Sequence, residues 1–130
     1  PNDTVTYGAA LKLIMLAAGY DEQAPVNSNV FSGYLARAQA DGLVSGNVDL
    51  SARITRLAVA QIAAKAMGLS ITNLSSVQPF TDTTDPYVRA LNAAGIVGGY
   101  FENGTSTYKP YNTLTRGAMS AIVWRMEQLQ

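Results

Sequence analysis

The chain has 130 residues, 48% of them hydrophobic, and nine basic against nine acidic side chains leave no formal net charge. That length and apolar content support one compact core, while charged residues at only 14% argue against a basic nucleic-acid surface or a polybasic membrane patch. With neither cysteine nor histidine, the chain has no disulfide or thiolate chemistry, no Ser-His-Asp or Cys-His catalysis, and none of the commonest zinc ligands.

No apolar run approaches the roughly 20 residues of a membrane span. The longest, Ala9 to Ala18, is interrupted by Lys12. Taken in order, Thr6 to Gly19 reads as the first helix: a threonine hydroxyl can accept from a first-turn N–H, and glycine suits the left-handed position past a helix end. Thr55 to Gly68 repeats the pattern with the same spacing, and Thr115 begins a third copy that fits the remaining length. Their apolar stripes match in register: Ala10, Leu13, Ile14 and Ala17; Val59, Ile62, Ala63 and Ala66; Met119, Ile122, Val123 and Met126. A three-helix bundle around a pseudo-threefold axis buries three such stripes most simply. Trp124 lies beside the last stripe and reads as packing.

Shorter units separate the long helices. Tyr34 to Val44 parallels Tyr87 to Val97, each a helix of two to three turns stopped by glycine and followed by an aliphatic pair. Asp85-Pro86 supplies an N-cap and a first-turn proline to the second. The loop from there to Thr115 is seven residues longer than its counterpart, measured from Tyr87 against Tyr34 to Thr55. Its Asn103-Gly104 is a turn signal for a small hairpin. The sequons at Asn2, Asn73 and Asn103 read as loop composition.

In the third copy, Phe80-x-Asp82, the Tyr87 to Ile96 helix, Gly99-Tyr100, Asn103-Gly104-Thr105, Tyr108-x-Pro110 and Leu114-Thr115-Arg116 occur in order. Together they resemble an S-layer homology repeat. The second copy matches in its helices and in Ile54-Thr55-Arg56, and the first only as a long helix, so portions near 1–20, 26–69 and 79–130 form one domain over 1–130. The resemblance implies an all-α, pseudo-threefold bundle of long central helices with short peripheral helices and connecting loops. It also implies an exported bacterial protein, held noncovalently at the cell surface by an anionic cell-wall polysaccharide, often a pyruvylated one. Under it Arg56 and Arg116 contact the sugar or its carboxylate, with Asp82, Gly99, Tyr100, Tyr108 and Lys109 as further ligand-binding candidates.

The motif departs from the family's pattern in one respect throughout. Its Glu, which closes a capping box, is Ala9, Ala58 or Ala118 here, at a cost of about 0.5–1 kcal/mol per helix start. Tyr7 replaces the motif Arg in the first copy. Arg56 and Arg116 gain nothing from the dipole at a helix start, which also favours anions, so they read as an anion site or as salt-bridge partners of Asp49 or Asp82. Tyr100, Phe101, Tyr108 and Tyr111 offer faces for sugar stacking or pins for the loop. Lys109 reads as solvated or as a partner for a polymer carboxylate, and Asp82 as a turn-former.

The acidic residues are scattered, so the chain reads as no enzyme, with no catalytic or metal-binding residue and no cofactor. The alternative to anchoring is a structural or interaction module that kept the fold, lost the ligand, and packs against the rest of its protein or a partner. Starting inside a repeat places a missing short helix upstream of Pro1. That predicts an apolar flank on the first helix and association with the upstream segment.

Overall fold

The computed structural model describes residues 3–72, 74 and 80–130, so the sequons at Asn2 and Asn73 lie outside the described residues. Among those described, the elements run α1 (Tyr7–Ala17), α2 (Ser32–Ala40), α3 (Arg56–Ala66), α4 (Pro86–Ala93), β1 (Tyr100–Glu102), β2 (Thr105–Thr107) and α5 (Arg116–Gln128).

Each long helix starts at one of the three threonines. The Oγ1 atoms of Thr6, Thr55 and Thr115 accept from the N–H groups of Ala9, Ala58 and Ala118 at 3.3, 3.2 and 3.1 Å. The segments carrying these caps also pair in a ring: Thr6 with Arg53, Thr55 with Thr113, and Thr115 with Thr4, all antiparallel. The ring supplies partners for first-turn N–H groups that a helix leaves unpaired. Tyr7, Arg56 and Arg116 donate to the carbonyls of Ala52, Asn112 and Asp3, each at 2.8 Å. Gly8 and Leu57 donate to Leu50 and Pro110 at 3.0 and 2.8 Å. Val5, Ile54 and Leu114, one residue before each threonine, are buried in the same cluster.

Packing follows a different unit from the sequence motif. The first two long helices pack against the short helix that follows each, α2 on α1 and α4 on α3, while α1 also contacts α3 and α5. This central place explains why α1 buries Leu11 and Met15 as well as Ala10 and Ile14, and why Leu13, expected in the stripe, is exposed instead. Counting from each threonine, Leu11 and Met15 correspond to Ala60 and Ala64 in α3, also fully buried, and to Ser120 and Trp124 in α5. Among the described residues no short helix packs on α5, and Trp124 is 62% exposed rather than packed.

The expected all-α, S-layer-homology-like pseudo-threefold bundle is corrected on two counts. The long third loop folds into an antiparallel hairpin, with Tyr100 opposite Thr107 and Glu102 opposite Thr105, so the domain is mixed. Its strands are rich in β-branched and aromatic residues, and Asn103 (φ 52°) and Gly104 (φ 80°) take the left-handed conformations that a two-residue hairpin turn needs. The helices also depart from threefold packing, since among the described residues α3 and α5 have no Cα pair within 8 Å.

Candidate functional site

Arg56, the first residue of α3, is the only charged residue that is buried among the described residues, at 8% exposure. Its Nε donates to the Tyr108 carbonyl at 2.7 Å, and the Tyr108 hydroxyl donates back to the Arg56 carbonyl at 2.9 Å. The guanidinium carbon lies 4.3 Å from the centre of the Tyr108 ring and 5.2 Å from that of Tyr100. Neither expected carboxylate reaches it. Asp49 accepts from Ser51 N–H at 2.9 Å, and Asp82 accepts from the N–H groups of Tyr108 and Lys109 at 2.9 and 2.8 Å. Among the described residues Arg56 thus has no ion pair.

Arg56 forms one wall of a cavity of about 280 Å³ between α5 and the segment before β1, also lined by Gly98, Gly99, Tyr100, Ala118 and Arg125. Arg125 donates to the Ile96 carbonyl at 3.1 Å and keeps its remaining donors for the groove. No acidic residue lines this space. Two guanidiniums around an open groove, with no carboxylate among the described residues that line it, are complementary in charge to an anion. The two glycines differ in their work. A Cβ on Gly99 would strike the Phe80 ring and the Thr107 carbonyl, whereas one on Gly98 would meet nothing within 4 Å. Gly99 is needed for packing and Gly98 keeps the groove open.

Arg116 does not join Arg56. It lines a second groove, between α1 and α5, of about 510 Å³, with Lys12, Arg53, Leu13, Phe31 and Met119. Arg53 donates to the Thr4 carbonyl at 2.8 Å, no acid lines this groove either, and among the described residues none of its three cations has an ion pair. The grooves are related by the ring of threonines: Arg56 faces Ala118 on α5 in one, and Arg116 faces Ala9 on α1 in the other. In each, the alanine three residues after a capping threonine lines the groove together with a neighbouring segment's Arg.

Other expected contacts are reassigned by burial. Tyr108 is fully buried against Phe80, with ring centres 5.6 Å apart, so its ring offers no face to a sugar. Burial pushes its hydroxyl up to about 12. Lys109 is occupied within the hairpin, 3.2 Å from Glu102 and 4.3 Å from the centre of the Tyr100 ring. Asp82 holds the exit of β2, where Lys109 has a φ of 59°, and does not cap α4. Asp85 provides that cap, accepting from Tyr87 and Val88 N–H at 2.9 and 3.1 Å. Tyr100 remains as a groove wall, and Phe101 and Tyr111 are exposed.

The helix N-termini offer less to an anion than the motif implies. In α3 the first three N–H groups are already donated, to Asn112, Pro110 and Thr55. Arg125, Lys12 and Arg53 belong to these grooves although no motif marks them; for Lys12 and Arg125 the available signal was a cation interrupting an otherwise apolar helix. No helix of the described residues is long and apolar enough to cross a membrane. Their remaining acids are dispersed, with Asp41 bonded to Tyr20 and Arg37 at 2.7 and 2.9 Å, and no group of three or more acids is placed to hold a metal ion. No family model matches the chain, and no curated protein matches it.

Proposed function

We propose that this chain is a noncovalent cell-surface anchor that binds an anionic cell-wall polysaccharide in the groove of Arg56 and Arg125. One observation carries the anion part: Arg56 is a buried guanidinium without a carboxylate, and it borders an open cavity lined by a second Arg and no acid. A buried cation is costly unless paired, so a ligand anion would complete the site. The polysaccharide and the bacterial cell surface rest on the S-layer homology resemblance. Exposed Tyr100 supplies a ring beside the cation, suited to the C–H face of a sugar. Arg116, Arg53 and Lys12 provide a second cationic groove on the same chain, and two sites on one polymer raise avidity.

The test is retention on purified cell-wall material at low salt. Arg116→Gln combined with Arg125→Gln removes one cation from each groove at exposed positions, so the fold persists. The parent is retained, the double variant is not, and added salt weakens the parent's retention. Failure of the folded parent to bind at low salt would sink the reading.

A second reading, a structural module packing against its own protein or a partner, is favoured by the reciprocal Arg56–Tyr108 hydrogen bonds, which give Arg56 a structural task without any ligand. Under it the double variant keeps its partner association, and the parent is not retained by wall material.

A further inference from the structure

Asn103-Gly104 is the chain's only Asn-Gly pair, and it forms the exposed turn of the hairpin that carries Tyr100. Among the described residues, neither the Asn103 side chain nor the Gly104 N–H has a hydrogen-bond partner. Asn27, the exposed asparagine of an Asn-Ser pair, differs: its Oδ1 accepts from the Asn29 N–H at 2.8 Å. Glycine has no Cβ to shield its nitrogen. We infer that Asn103 is a site of spontaneous deamidation, and that its conversion to isoaspartate dismantles the Tyr100 wall of the Arg56 groove.

The Gly104 nitrogen attacks Asn103 Cγ. A bond forms between them, the Cγ–Nδ2 bond breaks, and Nδ2 departs as ammonia, taking up the proton that Gly104 gives up. Water then opens the resulting succinimide. Cleavage between Cγ and the Gly104 nitrogen leaves aspartate, and cleavage between the Asn103 main-chain carbonyl carbon and that nitrogen leaves isoaspartate. No oxidant or cofactor is required.

The isoaspartate product matters most, because it lengthens the main chain by one carbon inside a two-residue turn. Register in a hairpin is set by turn length, and here the turn holds Glu102 opposite Thr105 and Tyr100 opposite Thr107. Tyr100 lies over Arg56 and Lys109, and Glu102 pairs with Lys109. The isoaspartate form therefore takes the ring out of the groove, and either product adds a negative charge at the turn. That consequence for the ligand rests on the anion-binding reading; the chemistry and the loss of register do not.

The folded chain is held at pH 8 and at pH 6, beside the chain unfolded in urea, and peptide mass spectrometry locates the conversion. An isoaspartyl methyltransferase labels the isoaspartate. The expected result is conversion at Asn103 in the folded chain, faster at pH 8, with Asn27 intact and with NMR contacts between Tyr100 and Thr107 lost in the isoaspartate fraction. An Asn103 that survives folded while the unfolded chain converts would overturn the inference. So would an isoaspartate fraction that keeps those contacts. Neither readout uses polysaccharide, so failure of the anchoring reading is seen separately.

Discussion

Arg56→Met separates the structural task of this arginine from its binding task. Methionine keeps an unbranched stem of similar reach and discards the charge. The guanidinium contributes a charge-assisted hydrogen bond to the Tyr108 carbonyl at 2.7 Å, worth about 1.5–3 kcal/mol, and a desolvated contact with the Tyr108 ring, worth about 2 kcal/mol. Against this stands a desolvation cost of several kcal/mol for a buried ion, reduced because the groove admits solvent. These two sides nearly offset. The sign is then set by the Tyr108 carbonyl, left buried without its donor at a cost of about 1–3 kcal/mol. The variant is expected to unfold in urea at a lower midpoint with an unchanged slope, and to melt roughly 3–10 °C lower. Polymer at about a hundred times its Kd should stabilise the parent by about 2.7 kcal/mol and the variant by much less. An Arg56→Met chain as stable as the parent would refute the reasoning.

Tyr108 makes stability depend on alkaline pH. Its folded pKa, raised by burial to about 12 from an ordinary 10.0, favours the neutral phenol in the folded chain. The contribution is fully present below pH 10 and is lost between 10 and 12, to a total of roughly 3 kcal/mol. Urea midpoints measured across that range should fall, and more steeply in the parent than in Tyr108→Phe. Thr55→Ala should cost about 1 kcal/mol by removing the cap on α3, and Thr55→Ser should restore most of it in the same unfolding assay. Gly99→Ala should cost about 1–3 kcal/mol through its clash with Phe80 and the Thr107 carbonyl. Gly98→Ala, with open space around it, should leave the unfolding midpoint unchanged while narrowing the groove and reducing retention on wall material.

The features readable in the sequence are those made by residues close along the chain. Thr6, Thr55 and Thr115 cap helices through bonds that reach three residues ahead, and Gly19 and Gly68 end two of them with φ of 99° and 65°. Asp85-Pro86 starts α4 and Asn103-Gly104 closes the hairpin by equally local means. Propensity, capping and turn chemistry act at that range, so one copy of the chain suffices to read them.

Arg56 and Arg116 occupy the same motif position, yet one is buried against Tyr108 and the other is exposed in a different groove. Tyr108, read as a sugar-stacking ring or a pin for the loop, is fully buried, and Trp124, read as packing, is exposed. The difference comes from what packs beside each helix: Tyr100 and Tyr108 lie against Arg56 at the start of α3, α1 is enclosed by α2, α3 and α5, and no short helix among the described residues covers α5. The sequence by itself determined where the helices and the turn begin and end. Tertiary structure alone decided which cations lie together without a carboxylate, because that depends on contacts between residues such as 56 and 108 that no local period encodes.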